Sequence, residues 1–403
     1  MSQQFESRQM IEALRTGIVP PHQIENFAVG LKLERLQLER ALDRAAERGG
    51  DSIAVQAEYG GGKTFFTELA VLDARAKGFL AAKVSLDLRE TPPNRPYLIY
   101  HDLIASLRYP KSEETGLRLL LDKALDSQTA REFIMNHAPL PHCPLKATLQ
   151  AMSQCQDPYI RNQIVDWLSG KSKKCDALRL YVKPHQRLYY GGEVSVQFTY
   201  LLSAISTLAK RLGYAGLAVF IDETERYEML TPGSKDRAVN FFKAMIRSTL
   251  RFEPEADPSA LPSSLNHIEQ HPKIHYELSF SQNAGLFFLF TYFRESENSL
   301  PVDSWLAHDQ IIRLSNKFLK SDVLGYLQNA LKHHAIAYNY TPNDEAYNQV
   351  MNLLADTLPR RLEIGALNPR GLIRLVIEIF DRMFLSPEYD VQRLKQTLES
   401  VKP

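Results

Sequence analysis

The octapeptide Ala57-Glu58-Tyr59-Gly60-Gly61-Gly62-Lys63-Thr64 constrains this chain more than any other segment. Three consecutive glycines free backbone N–H groups to cradle an anion; Lys63 can reach β- and γ-phosphates, and the Thr64 hydroxyl can ligate Mg²⁺. Such a loop has to join a buried strand to a helix N-terminus, where orphan amides and the helix dipole both favour phosphate. Both neighbours are legible. Ser52-Ile53-Ala54-Val55-Gln56 is a short β-rich run; Phe66, Leu69, Ala70, Leu72 and Ala76 recur at helical spacing between Phe65 and Lys77, and Gly78 stands next as a C-cap. Ala57 stands where the pattern has its first glycine, a small residue that still permits the turn. A glycine-rich turn that carries Lys-Thr by accident fits this context poorly. Tyr59 is expected to pack beneath the loop.

A phosphate loop alone indicates nucleotide binding. Leu217-Ala218-Val219-Phe220-Ile221-Asp222-Glu223 adds chemistry, because a buried apolar strand ends here in two carboxylates, at the edge where parallel sheets hold ligands. Asp222 is suited to hold Mg²⁺ through its water shell and Glu223 to orient and deprotonate an attacking water. Asp-Glu after a strand is common by itself. Paired with the upstream Lys-Thr loop it reads as an ATPase that takes ATP and Mg²⁺.

Composition narrows the class. With 403 residues, 44% hydrophobic and 24% charged, the chain can bury a large core, and its length suggests about two to three domains. Met1 to Arg15 is polar and amphipathic, and the longest apolar run, Gly285 to Phe293, is too short to span a bilayer. Cys143, Cys155 and Cys175 show no CxxC spacing, which fits a reducing cytoplasm; with His137 and His142 they match no zinc pattern. A net charge of +1 neither requires nor excludes nucleic acid.

Element order predicts an α/β fold: a P-loop parallel sheet flanked by helices, with a large helical insertion and a C-terminal helical lid. Phe5–Arg15 and Ile24–Arg48 read as helices, forming an N-terminal helical segment over 1–50. The core is expected over 51–320, with strands at Phe79–Leu86, Leu217–Ile221, Leu286–Phe290 and Gln310–Leu314. Its insertion falls at about 109–190, where Lys111–Ala130 reads as helix and Pro139–Pro144 as a break. Glu253–His271 reads as a polar loop, and the lid covers 321–403.

Several collinear features carry a resemblance. Arg8-Gln9-Met10-Ile11-Glu12-Ala13-Leu14-Arg15-Thr16-Gly17, the Gly60–Thr64 loop, Glu90-Thr91-Pro92, Leu212-Gly213-Tyr214 and Asp222-Glu223 together resemble the BREX phage-defence ATP-binding proteins, BrxD and its relatives. The resemblance runs from residue 8 to the end and is least supported between Lys111 and Tyr190. It implies a cytoplasmic, AAA+-type ATPase of an anti-phage system that acts on DNA or on a DNA-bound partner complex. It also implies a homo-oligomer working with other defence-system proteins, and no membrane. Under that resemblance Thr291 stands at the sensor-1 position and Asn368-Pro369-Arg370-Gly371-Leu372-Ile373-Arg374 looks like a sensor-2 helix, with Arg370 reaching the nucleotide. Arg294 and Arg313 are both candidates for an arginine finger supplied by a neighbouring subunit.

Between Arg161 and Tyr190, Arg161, Lys171, Lys173, Lys174, Arg179, Lys183 and Arg187 face only Asp166 and Asp176, with Tyr181, Tyr189 and Tyr190 interleaved. Cations for phosphates and rings for bases make this the nucleic-acid candidate, of a backbone-directed kind; an ordinary solvated face is the plain alternative. Two other functional classes remain: a nucleotide-gated scaffold with little turnover, and a GTPase. Guanine selection is disfavoured, because Asn316-Lys317-Phe318-Leu319 lacks the carboxylate that ends the guanine-reading motif. A small-molecule kinase lacks an obvious acceptor site.

Overall fold

The computed structural model describes residues 3–137, 142–184, 186–250, 265, 267–293, 302–315, 317–386, 389 and 391–394. In chain order its first elements are α1 (Gln3–Arg15), α2 (Lys32–Arg48), β1 (Gly50–Ala57), α3 (Lys63–Ala76), β2 (Phe79–Ser85), α4 (Pro96–Ala105), α5 (Arg118–Asp126) and α6 (Gln128–His137). Then come α7 (Pro144–Gln154), α8 (Pro158–Leu168), α9 (Ser195–Arg211), β3 (Gly216–Asp222), α10 (Pro232–Thr249), β4 (Leu286–Phe293), α11 (Val302–Trp305) and β5 (Ile311–Arg313). The chain continues through α12 (Lys320–Tyr338), α13 (Asp344–Glu363) and α14 (Pro369–Leu385). They divide into two compact units.

The larger unit, Gln37–Gln56 with Ala70–Ile312, is built on a five-stranded parallel sheet in the order β2-β3-β4-β1-β5. Every residue of β3 is buried, and so is all of β4 but its last residue. Continuous apolar strands of this kind need both faces covered, which is why the sheet is parallel and helix-flanked. Register runs from Phe79↔Gly216 to Ser85↔Asp222 on one side of β3, and from Leu217↔Leu286 to Ile221↔Phe290 on the other. Asp222 therefore ends its strand with β2 and β4 on either side.

Helix α9 is buried from Ser195 through Ala209, so its polar side chains must find partners inside. The Thr199 and Thr207 hydroxyls donate to the carbonyls of Ser195 and Ser203, four residues back, at 2.9 Å each. Ser206 donates to Ala284 O and accepts from Leu217 N–H, both at 2.8 Å. Helices α6 and α7 pack on α9, and α5 packs on both. The helix expected over Lys111–Ala130 begins only at Arg118. Lys111 (φ 57°) and Gly116 (φ 77°) adopt left-handed backbone, and Arg108 instead exchanges hydrogen bonds with Ala81 at 2.8 and 3.0 Å.

The second unit, Met1–Leu36, Ala57–Leu69 and Arg313–Pro403, is helical. Helix α1 and the C-terminal helices thus belong together: α1 packs on α12 and α14, and α12 on α13. The long helix expected from Ile24 is a 3₁₀ turn over Pro21–Phe27, and α2 starts at Lys32. Gly30 interrupts it at φ 71°, where a Cβ would lie 3.1 Å from the Phe318 ring.

A polar chain ties this bundle together. Tyr347 donates to Tyr340 at 3.2 Å, and Tyr340 OH lies 2.9 Å from His334 Nδ1; Nε2 of His334 lies 3.0 Å from Asp381. Asp381 also accepts from Arg15 at 2.7 and 3.1 Å. A neutral His334 satisfies this chain by accepting from Tyr340 and donating to Asp381. Burial lowers the His334 pKa from its ordinary value, outweighing the pull of Asp381. Burial pushes Asp381 up, but hydrogen bonds from Arg15 and His334 overcome this and hold its carboxyl below the usual range.

The signs agree. An unfolded chain protonates His334 near pH 6.5 while the fold resists, so this stability is present above that value and is lost as pH falls below it. Asp381 adds a loss of the same sign at lower pH. Thermal melts across about pH 7 to 5 should show a declining midpoint that His334→Gln flattens. Arg15→Ala should cost about 2 kcal/mol at neutral pH, the scale of a charged hydrogen-bond pair.

Candidate functional site

The glycine loop belongs to the helical unit. Gly61 N–H donates to Glu58 O at 3.0 Å, and α3 opens with Phe66 N–H donating to Gly62 O at 2.8 Å. Gly60 (φ 75°) and Gly62 (φ 88°) are left-handed and Gly61 between them is not. This alternation is the backbone pattern of an anion-binding concavity, and it leads into a helix N-terminus. Lys63 and Thr64 open that helix; Thr64 is exposed, and Lys63 Nζ lies 3.5 Å from Ala57 O. Phe66 and Leu69 bury the opposite face. Tyr59 does not pack beneath the loop: it is 77% exposed, immediately before the left-handed turn at Gly60.

Two residues of the segment 368–374, expected as a sensor-2 helix, approach this loop or its supports. Asn368 caps α14, its Oδ1 accepting from Gly371 N–H at 2.7 Å. A Cβ on Gly60 would lie 2.7 Å from Asn368 Nδ2, so the absence of a side chain at Gly60 is what admits this cap residue. Arg370 is exposed, and its Cγ would lie 2.6 Å from a Cβ on Gly17, itself at φ 78°. The glycine after α1 therefore supports the stem of Arg370.

The acidic pair belongs to the sheet unit. Asp222 and Thr291 are buried, and the Thr291 hydroxyl donates to Asp222 Oδ1. That same hydroxyl accepts from Glu223 N–H at 3.1 Å, and Glu223 N–H also reaches Asp222 Oδ1 at 3.0 Å. Glu223 adopts φ 58°, ψ 39°, a conformation costing a non-glycine residue about 1–2 kcal/mol. The turn separates the two acids: Asp222 stays inside, while the Glu223 side chain is 36% exposed. Thr224 pins the start of the next 3₁₀ turn by donating to Thr291 O at 2.5 Å. Leu86 N–H donates to Asp222 O at 3.0 Å, tying the end of β2 to the end of β3.

Arg226 belongs to none of the motifs legible in the sequence. Its Nε donates to Glu223 Oε2 at 2.7 Å and a terminal nitrogen lies 2.6 Å from the same oxygen. The Glu223 hydrogen bond raises the Arg226 pKa further. The i,i+3 spacing within Glu223-Thr224-Glu225-Arg226 was the available signal. The roles of Asn368 and Gly17 at this site were equally hidden; nothing local in the sequence announces contacts made across hundreds of residues.

The basic segment is partly self-neutralised. Lys171 pairs with Asp166 at 2.7 Å and Arg179 with Asp176 at 3.4 Å. Lys173 sits 4.8 Å over the Tyr189 ring, which stacks on Tyr97 at 5.6 Å. Arg161 caps α7, donating to the carbonyls of Cys155 and Met152 at 2.7 and 3.2 Å. Lys174, Lys183 and Arg187 are exposed and make no ion pair among the described residues. Arg313 ends β5 and is exposed, whereas Arg294 and Asn316 lie outside the described residues, as do parts of Pro139–Pro144 and Glu253–His271.

Residues 3–140 match the family BREX system ATP-binding protein BrxC/D, which bears out the resemblance over the stretch that includes the glycine loop. No curated protein and no solved structure matches. Among the described residues no helix is long and apolar enough to cross a membrane.

Alanine at the loop glycines separates conformation from collision. Gly62→Ala meets nothing within 4 Å and should cost only its left-handed backbone, about 1–2 kcal/mol. Gly60→Ala adds the clash with Asn368 and should lower the melting temperature further. Combining it with Asn368→Ala should be less than additive, read from a double-mutant cycle.

Proposed function

We propose that this BrxC/D-type ATP-binding protein hydrolyses ATP on an AAA+-like core and serves a BREX-like anti-phage system. The observation that carries the reading is the Asp222–Glu223–Thr291 arrangement, at the carboxyl end of a strand in the same sheet as β1, the strand that runs into the glycine loop. Strand β4 lies between them in the sheet order.

The donor set fits ATP and Mg²⁺. Left-handed glycines, a helix N-terminus and Lys63 suit a triphosphate; Thr64 and Asp222 offer the hard oxygens that Mg²⁺ prefers. Mg²⁺, when bound, neutralises charge on the phosphate oxygens. The chain's own part is then positional. Thr291 orients Asp222, the left-handed turn presents Glu223 to solvent for a water, and Arg370 offers charge from the lid. Thr291 is proposed as sensor and Arg370 as the lid's contact to the nucleotide.

Lys63→Ala should abolish ATP binding, read by fluorescent-nucleotide titration; retention of wild-type affinity would remove the loop from the mechanism. Glu223→Gln should bind ATP and stall, read as phosphate release. A second reading, a nucleotide-gated scaffold with little turnover, draws support from the Glu223–Arg226 ion pair, which occupies the base.

DNA, other defence proteins and assembly as a homo-oligomer complete the proposal, with Arg313 or Arg294 donated in trans and a cytoplasmic setting. Exposed Lys174, Lys183 and Arg187 form the core of the DNA contact, with Lys171, Lys173 and Arg179 at its edge. Charge reversal at Lys174, Lys183 and Arg187 should weaken DNA binding at every sequence tested and reduce the slope of log K against log salt by about 1 per lost phosphate contact. An unchanged salt titration would exclude this surface.

A further inference from the structure

Asn368 holds the two ends of its carboxamide to different tasks. Its Oδ1 accepts from Gly371 N–H at 2.7 Å, the bond that caps α14. Only the oxygen can accept, so this bond fixes which end of the amide is which. The nitrogen is the end turned to the glycine loop: a Cβ on Gly60 would lie 2.7 Å from Nδ2, 3.0 Å from Cγ and 3.5 Å from Oδ1. Both residues belong to the helical unit. Asn368 is exposed, and its Nδ2 makes no hydrogen bond among the described residues. A free donor thus rests on a loop whose alternating left-handed glycines shape it for an anion.

Capping alone does not call for an amide. Aspartate and serine cap a helix about as well as asparagine, and a carboxylate gains further from the helix dipole. This chain uses that option at α8, where Asp157 accepts from Tyr159 and Ile160 N–H. What asparagine adds at α14 is a neutral donor at the far end of the capping group. A carboxylate in its place would set negative charge against the anion loop. The rest of the turn has the same bias: α14 carries no acid in its first turn, and Arg370 is its second residue. Arg370 and Arg374, both exposed and four residues apart, repel along one face of the helix, a tension that a bound anion relieves.

We propose that Asn368 is a phosphate-binding residue, its Nδ2 donating to the β-phosphate held in the glycine loop while its Oδ1 keeps the cap of α14. The inference rests on the reading of residues 57–64 as the nucleotide site. Such a loop cradles the β-phosphate of diphosphate and triphosphate alike, so a donor at Gly60 serves ADP and ATP equally. One carboxamide then bonds the nucleotide and the helix together, and occupancy of the loop is transmitted to α14 whichever nucleotide is present.

The test titrates the full chain with fluorescent Mg-ADP and Mg-ATP, alongside melting curves without nucleotide, for wild type, Asn368→Ser, Asn368→Asp and Lys63→Ala. Both Asn368 variants keep a capping oxygen and should melt as wild type does. Asn368→Ser should weaken ADP and ATP by about ten-fold, the loss of one charge-assisted hydrogen bond. Asn368→Asp should weaken both further, by an increment that shrinks as salt is raised. An asparagine that only caps would leave both affinities at the wild-type level. That result, with Lys63→Ala deficient, overturns the Asn368 contact alone. A loss for ATP without one for ADP overturns its placement at the β-phosphate. Wild-type affinity in all three variants removes the nucleotide site first, and the Asn368 contact with it. Should Asn368→Ser melt early, Asn368→Asp decides through the salt dependence of its deficit, which a lost cap would not produce; a deficit indifferent to salt counts against the contact.

Discussion

A buried carboxylate has to be satisfied, and the sheet is arranged around that requirement at Asp222. Its strand is apolar throughout and covered on both faces, so the acid at its end has little water to solvate it. Thr291 from the neighbouring strand supplies the hydroxyl, and the Glu223 amide bonds to both the hydroxyl and the acid. The amide reaches them because Glu223 turns left-handed, which in turn ends the strand and exposes the second acid. Register, strain and exposure at this edge are consequences of one solvation demand.

The helical unit answers a similar demand differently. Arg15, Asp381, His334, Tyr340 and Tyr347 link α1 to α14, α14 to α12, and α12 to α13 by successive hydrogen bonds. A network of this sort is stabilising only while each member is paired, so α1 depends on its bonds to the C-terminal helices. That coupling reaches the glycine loop through Asn368 at Gly60, and Arg370 through Gly17. Residues at opposite ends of the chain thereby shape one small region of backbone.

Much of this was legible. Strand, glycine loop and helix around residues 52–77 follow from periodicity and from the backbone freedom of glycine, and the acids after β3 follow from the break in an apolar run. Helix limits were less so. Lys111–Leu117 turns left-handed at Lys111 and Gly116, and its Thr115 bridges Arg108, which in turn bridges Ala81 of β2; Ile24–Leu31 yields to a glycine that lets Phe318 approach. Tyr59, expected beneath the loop, is exposed, since side-chain direction in a loop depends on local backbone such as the left-handed turn at Gly60, which composition does not reveal.

By itself the sequence determined which chemistry the chain carries: an anion loop, a pair of acids, and strands too apolar to stand uncovered, all consequences of short-range preference and hydrophobic periodicity. Only the tertiary structure decided the partners of those groups. It set Thr291 on Asp222, Arg226 on Glu223, Asn368 over Gly60, and Asp166 against Lys171, because burial and hydrogen bonding are settled by what the fold brings near. Spacing along a chain can suggest such neighbours, as it does for Arg226, but the local dielectric and the competing acceptors that give them meaning exist only once the chain has folded.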